Sequence, residues 1–262
     1  MPRILRVLAV SFLVSACAMN PTVPDSLVRE LAPTGTLRAG INYGNPVIVQ
    51  KDPAGGAPRG VGPELARELA KRLGVGITYV TYDTAGKLAD GVRSNAWDVA
   101  FLAGEPERAR EIAFSPPYVQ IEGTYMVRKD SPLQRVADVD RKGIRVAVGN
   151  KTAYDLYLTR NLEQAELVRS PTSLDAIAAF LADPKLDAAA GVRQTLMMAA
   201  QKDAQLRVMD DSFQVIPQAA GVPKGRDAAA RYLSAFIDEM KASGFVKRAL
   251  DASGNGDVTI PK

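Results

Sequence analysis

Residues 62–83 read GPELARELAKRLGVGITYVTYD, a stretch in which the sequence pattern changes from helical to extended. Leu65, Leu69 and Leu73 recur every fourth residue and share one helix face, and Gly74 follows as a typical helix terminator. The residues after it are rich in β-branched and aromatic side chains, which favour a strand. The stretch therefore predicts an amphipathic helix followed directly by a strand.

The same alternation continues on both sides of this unit and starts again near residue 144. Strands are predicted over TLRAGIN, WDVAFL, IRVAVGN, AELVRS and LDAAAG, with helical patterns between them. Strand-helix-strand order implies a mostly parallel sheet covered by helices. We therefore predict an α/β fold of two similar lobes, with a cleft between them. In the helix predicted at 173–183, we expect Leu174, Ile177, Ala178 and Leu181 to face inward.

The composition excludes several classes of function. The chain has 262 residues, 47% apolar and 24% charged, as in a folded globular protein. It contains no histidine, which removes imidazole as a general base or metal ligand, and it has no nucleophile elbow, phosphate-binding loop or dinucleotide fingerprint. The formal net charge is +4, but the basic residues form no cluster with interleaved aromatics, so we expect no nucleic-acid partner. We also expect no cofactor.

The first residues, MPRILRVLAVSFLVSACAMN, resemble an export signal. Arg3 and Arg6 precede a short apolar run that ends in small residues at Val14-Ser15-Ala16-Cys17. This pattern resembles a bacterial lipobox, in which the cysteine is lipidated, and cleavage after Ala18 is the alternative. We predict a signal at 1–16, a tether at 17–34 and a periplasmic protein anchored through Cys17, the one cysteine of the chain.

Four segments resemble the family 3 extracellular solute-binding proteins, which deliver mostly polar amino acids to ABC transporters. They are GVGPELARELAKRLGV, NAWDVAFLAGEPERAREIAFSPPY, EGTYMVRKDSPL and LDAAAG. The resemblance covers roughly residues 35–250 and implies the two-lobed type II periplasmic-binding fold. It places lobe 1 at 35–126 and 216–262 and lobe 2 at 127–215. It also implies a monomer that binds a small carboxylate-bearing solute and passes it to a permease.

Within the resemblance, Arg108 stands six residues before FSPPY and is expected to clamp the ligand's carboxylate. A planar guanidinium grips a carboxylate with two parallel hydrogen bonds. The alternative is a solvated helix start in which Glu107 and Glu111 pair with Arg108 and Arg110 at helical spacing. Glu105 either complements the dipole at the start of this helix or points into the cleft towards a ligand ammonium.

The family's usual ammonium-binding aspartate has no counterpart at the end of the LDAAAG strand, where Gly191, Val192 and Arg193 stand instead. Two alternatives follow. Either Glu105 or Glu122 takes over the ammonium, or the ligand has none and Arg193 meets a second anionic group. The ordinary alternatives are an exposed arginine and a carboxylate facing water.

Two loops complete the predicted site. Tyr43 and Asn45 lie in the loop after the first strand, where the family lays an aromatic ring over the ligand; a plain turn is the alternative. Thr152 is placed to cap a helix whose free amide groups could also bind a carboxylate. We predict a binding protein, not an enzyme; the alternatives are a dehydratase with a carboxyl general acid on the same fold and a ligand sensor without a permease.

Overall fold

The computed structural model describes residues 23–262 as one curled sheet with helices on both faces. The signal and Cys17 lie outside the described residues. The strands are β1 (Thr36–Asn42), β2 (Gly76–Tyr82), β3 (Val99–Ala103), β4 (Ile112–Phe114), β5 (Val119–Arg128), β6 (Arg145–Gly149), β7 (Glu166–Ser170), β8 (Ala188–Val192), β9 (Leu206–Val208) and β10 (Gln214–Pro223). Their order is β2-β1-β3-β10-β5-β8-β6-β7, with β4 on β10 and β9 on β5.

Eight α-helices accompany the described strands. They are α1 (Asp25–Leu31), α2 (Val61–Leu73), α3 (Ala85–Asp90), α4 (Ala153–Asn161), α5 (Ser173–Ala182), α6 (Arg193–Ala200), α7 (Asp227–Ala242) and α8 (Phe245–Ala252). Across residues 23–262 there is no helix with the length and apolar character needed to cross a membrane.

The two halves of the sheet repeat one arrangement, which confirms the predicted two-lobed α/β fold. Lobe 1 is built on the parallel strands β2-β1-β3, and lobe 2 on β7-β6-β8. In lobe 1 the backbone N–H of Arg38 donates to Asp98 Oδ2 at 3.0 Å, and in lobe 2 that of Arg145 donates to Asp187 Oδ2 at 2.8 Å. The antiparallel pair of β5 and β10 joins the lobes at the centre of the sheet.

Helix α5 is rotated away from the face that the sequence pattern indicates. Leu174 is 67% exposed and Leu181 49% exposed, whereas Ala176, Ile177 and Phe180 are buried against lobe 2. The first turn of α5 lies directly on Gly149, where an added Cβ would stand 2.8 Å from the backbone N of Ser173. Ala178 is exposed as well. The prediction of Leu174, Ala178 and Leu181 as inward residues is therefore wrong, because this close backbone approach and the bulk of Phe180 set the rotation of the helix.

Candidate functional site

A cleft opens where the carboxyl ends of β1, β3 and β8 meet the strands that join the lobes, and it holds about 460 Å³ of empty space, including open solvent at its mouth. Carboxyl ends of parallel strands are the usual place for ligands in open α/β sheets. The lining side chains come from both lobes and are mostly neutral: Asn42, Asn45, Thr84, Ala103, Arg108, Ile121, Thr152, Ala153, Tyr154, Ser173, Val192, Ile216 and Gln218, with Gly44 and Ala85.

Arg108 is the charged group of this lining and is only 6% exposed. Its two terminal nitrogens donate to backbone carbonyls, one to Ala103 in lobe 1 and one to Lys151 in lobe 2, each at 3.1 Å. No carboxylate of the described residues forms an ion pair with it. Burial lowers the pKa of Arg108 to about 10, although Glu105, Glu107 and Asp90 raise it from a distance. The guanidinium is therefore a buried cation at neutral pH with no direct counterion in residues 23–262.

Lys151 contacts lobe 1 in three ways. Its backbone carbonyl accepts from Arg108, its ammonium pairs with Asp90 at 3.0 Å, and its Cβ would lie 2.6 Å from a Cβ added to Gly86. Its own φ of 54° falls in the left-handed region, which is costly for a residue other than glycine. Its backbone N–H donates to Asp155 Oδ2 at 2.7 Å, which helps to hold this conformation.

Thr152 caps α4, as expected from its place before the helix. Its hydroxyl accepts from the backbone N–H of Asp155 at 3.1 Å and donates to the carbonyl of Gly149 at 2.9 Å. The next two backbone N–H groups, those of Ala153 and Tyr154, find no acceptor among the described residues and belong to the cleft wall. The start of α4 therefore offers hydrogen-bond donors and the positive end of its dipole to the cleft.

Three side-chain amides add neutral polar groups to the lining. Asn42 is 4% exposed and Gln218 3% exposed, and the Oδ1 atom of Asn45 is buried without a partner. None of the three amides makes a hydrogen bond to another side chain or backbone group in the described part of the chain. Buried amides normally are hydrogen-bonded, so these three amides are available to polar groups of a ligand or to water in the cleft.

Glu122 and Arg193, which the sequence suggested as ligand groups, pair with each other away from the cleft. Arg193 Nε stands 2.5 Å from Glu122 Oε2, and the arginine also donates to the carbonyls of Met209, Asp210 and Asp211. Of the residues at the end of β8, Val192 lines the cleft instead. Arg193 is the first residue of α6, and its side chain is held by Glu122 and by the carbonyls of residues 209–211 instead of the cleft.

Glu105 and Tyr43 also lie outside the cleft lining. Glu105 is buried, accepts from the backbone N–H of Glu107 at 3.0 Å and pairs with Arg160 of lobe 2. This matches the local alternative in which an acid lies at the start of a helix, although the helix is only a short 3-10 turn, Arg108–Arg110. The Tyr43 ring packs against the main core and lies 5.0 Å from the Lys51 ammonium. Arg108, Asn45 and Thr152 are thus the predicted site residues that the structure brings together.

Asn42, Gln218 and Lys151 were missed by the sequence reasoning. Asn42 is the last residue of a parallel strand, a position where the strand-end rule could have found it. Gln218 lies on β10 opposite Ala103, and its place in the cleft depends on the pairing of strands that are distant in sequence. The strained φ of Lys151 leaves no sequence signal, since lysine does not favour that conformation.

The sequence model of bacterial extracellular solute-binding proteins, family 3, matches residues 37–252. The chain is 23% identical over 202 residues to the glutamine-binding protein of Geobacillus stearothermophilus, covering 75% of this chain and 76% of that one. It is 29% identical over 171 residues to the membrane-bound lytic murein transglycosylase F of Aeromonas hydrophila. That match covers 63% of this chain but only 33% of the transglycosylase.

Solved structures show the same fold at low identity. A mutant of ArgBP from T. maritima has a TM-score of 0.75 and 24% identity, covering 87% of this chain and 99% of its own. An ancestral amino acid-binding protein, described as a precursor of cyclohexadienyl dehydratase, has a TM-score of 0.73 and 22% identity, covering 86% and 97%.

Proposed function

The chain belongs to the bacterial extracellular solute-binding proteins of family 3, and on that premise we propose that it captures a small carboxylate-bearing solute in the cleft between its lobes. The observation that carries the proposal is Arg108, a buried cation without an ion-pair partner in the described residues. A buried charge without a counterion is costly, and a bound carboxylate removes that cost.

Arg108 and the start of α4 supply the donors for the carboxylate. The guanidinium has five N–H donors and uses two hydrogen bonds on backbone carbonyls, which leaves others for the ligand. The N–H groups of Ala153 and Tyr154 approach from lobe 2. We call the arrangement described here, in which the two lobes are in contact, the closed arrangement. A carboxylate held by both lobes stabilises it, because only this arrangement brings the two sets of donors together.

The closed arrangement is also held by direct contacts between the lobes. Glu105 of lobe 1 pairs with Arg160 of lobe 2, and Asp90 of lobe 1 pairs with Lys151 of lobe 2. Both members of the Asp90–Lys151 pair are substantially exposed, so this pair opens at modest cost in water, whereas Glu105 is buried and its pair with Arg160 opens only as water reaches its carboxylate. The lobes can therefore part to admit a solute and close on it, which is the motion that a solute-binding protein requires.

Gly86 offers a test of closure that does not touch the ligand. In Gly86→Ala the new Cβ would meet Lys151 at 2.6 Å when the lobes are closed, whereas alanine improves the helix propensity of α3. We expect the affinity for solute to fall about 5- to 150-fold, the scale of 1–3 kcal/mol for overpacking. The melting temperature of the ligand-free protein should not fall. Titration calorimetry and thermal melting measure the two effects.

Gly76→Ala is the matched control, because the new Cβ would lie an ordinary 3.8 Å from Thr36 and far from the lobe contact. If both variants bind like the wild type, the closed arrangement seen here is not the one that holds the solute.

Delivery to an ABC transporter permease completes the proposed function, and relatives named for glutamine and arginine binding support this role. The similarity to a dehydratase precursor and to one third of a transglycosylase raises the alternative of an enzyme. A carboxyl general acid needs to face the bound solute, and the cleft lining in residues 23–262 holds no carboxylate. Binding without turnover is therefore the function that this cleft supports best. A sensor without a permease would use the same closure.

The membrane anchor is the remaining part of the proposal and concerns Cys17, outside the described residues. Its support is the Val-Ser-Ala-Cys pattern after an apolar run. We expect Cys17→Ser to abolish both labelling by a fatty-acid probe and recovery in the membrane fraction. A wild-type protein that is recovered without lipid, beginning at Met19, would show that ordinary cleavage is correct.

The proposed function is tested by thermal melting of the mature domain against a panel of amino acids, hydroxy acids, keto acids and dicarboxylates. A ligand that binds the native state raises the melting temperature by mass action. We expect stabilisation by at least one carboxylate, and no stabilisation by its uncharged amide or alcohol analogue. Stabilisation by neutral analogues to the same extent would contradict the proposal.

A further inference from the structure

The charges of the cleft lining restrict the ligand more closely than the presence of Arg108 alone. Among the described residues that line the cleft, Arg108 carries the one full charge. The nearest acids do not line the cleft: Glu105 pairs with Arg160, and Asp90 and Glu107 line a neighbouring surface depression that Arg108 also borders. Glu122 pairs with Arg193. Each of the carboxylates that the sequence offered for a ligand ammonium is therefore outside the cleft.

Three kinds of ligand leave different net charges in the closed cleft. An amino acid is a zwitterion, so its carboxylate would balance Arg108 and its ammonium would remain without a counterion. A dicarboxylate would leave one negative charge in excess. A monocarboxylate leaves the cleft neutral, and a buried net charge costs several kcal/mol in general. Charge balance therefore favours a ligand with one carboxylate and no ammonium.

The unpartnered amides specify the rest of the ligand. The Oδ1 atom of Asn45 is buried without a hydrogen-bond partner among the described residues, so a donor that reaches it would stabilise it, and Asn42 and Gln218 add to the cleft lining two amides that can donate and accept. A keto group or a bare methyl group would leave the Asn45 oxygen unpaired, at the desolvation cost of a buried acceptor. A hydroxyl group both donates and accepts, and it brings no charge.

We propose that the ligand is a small hydroxylated monocarboxylate, bound through its carboxylate at Arg108 and through its hydroxyl groups at the cleft amides. This inference rests on the proposed binding function and narrows its substrate class. The apolar side chains of Ile121, Ile216 and Val192 complete the lining and fit the carbon skeleton of such an acid.

Matched compounds with one skeleton and different substituents test this ligand class. Titration calorimetry with the mature protein would compare serine with glycerate, alanine with lactate and pyruvate, and lactate with malate. Both stereoisomers of each chiral compound would be used. We expect the hydroxy acid to bind at least about tenfold more tightly than the amino acid of the same skeleton, a difference that follows from the unbalanced ammonium.

Asn45→Asp adds one negative charge to the cleft without changing the shape of the side chain. If Asn45 faces the hydroxyl group of the ligand, the aspartate should favour a ligand that carries an ammonium group where the hydroxyl group was. We expect the ratio of serine to glycerate affinity to rise at least about tenfold over that of the wild type, the scale of one opposite charge within a few ångströms. Asn161→Asp, an exposed amide-to-acid change on lobe 2, is the matched control and should leave the ratio unchanged.

The outcomes separate this inference from the proposed function. Preferred binding of amino acids by the wild type, lost in Arg108→Met, would overturn the hydroxy-acid class and leave the binding function standing. Preferred binding of malate would overturn it in the same way. Binding of none of the carboxylates, in a protein that melts cooperatively, would contradict the proposed function itself.

Discussion

Replacing Arg108 by methionine is expected to remove measurable solute binding while the melting temperature of the ligand-free protein stays the same or rises. The loss should be about 2–5 kcal/mol, or roughly 30- to 5,000-fold in affinity, the scale for truncating one partner of a buried charge pair. The ligand-free protein loses a buried cation that forms no ion pair among the described residues, although Glu105, Glu107 and Asp90 act on it from a distance. An apolar side chain of similar length avoids the cost of burying that charge, so binding and stability should respond in opposite directions.

Two further variants make the Arg108 result specific. Arg108→Lys keeps the charge but not the planar fork, so we expect only partial recovery of binding. Arg110→Met removes an exposed arginine from the same turn and should bind like the wild type. Calorimetry with the best compound of the panel measures all three. An Arg108→Met protein that binds as tightly as the wild type would remove the basis for the carboxylate clamp.

Of the variants proposed here, Asp98→Ala is expected to lower the free energy of unfolding most, by about 3–5 kcal/mol. The reason is that it leaves two arginines without their buried counterion. Asp98 is fully buried and lies 2.8 Å from the guanidinium of Arg38 and 3.4 Å from that of Arg226. It also accepts from the backbone N–H of Arg38. These contacts join the N-terminal end of β3 to β1 and to the start of α7. We therefore expect the substitution to destabilise lobe 1 as a whole.

Denaturant unfolding followed by fluorescence of Trp97, which is buried in the same lobe, would measure the effect of Asp98→Ala. Asp238→Ala is the matched control, since its carboxylate is 58% exposed in a pair with Lys241, and we expect a change below about 1 kcal/mol. A loss of less than about 1 kcal/mol in Asp98→Ala as well would mean that water replaces the carboxylate at this position.

Much of the fold follows from sequence periodicity, because local patterns decide local structure. The leucines of α2 lie on its buried face, as their spacing predicts, and the apolar residues at helical spacing in α7, Leu233, Phe236, Ile237 and Met240, are buried in the same way. Helix α5 shows the limit of this reasoning. Its apolar residues surround much of the helix, so periodicity alone does not select the buried face, and the contact with Gly149 decides it.

The candidate site was less predictable, because its composition depends on where side chains point after strands from distant parts of the chain pair. Arg108 belongs to a local sequence motif, and the structure places its side chain in the cleft lining. Glu122 and Arg193 are 71 residues apart, and their pairing follows from the antiparallel contact of β5 with β8. Sequence alone offered both as ligand groups, since it contains no information about a pair formed only in three dimensions.

A crystal structure of the mature protein with the panel compound that stabilises it most would test the central claim most directly. We expect the carboxylate between the lobes, within hydrogen-bond distance of the Arg108 guanidinium, with Asn45 and the start of α4 on either side. A compound bound elsewhere, or bound in the cleft with its carboxylate turned away from Arg108, would contradict the assignment of this cleft as a carboxylate-binding site.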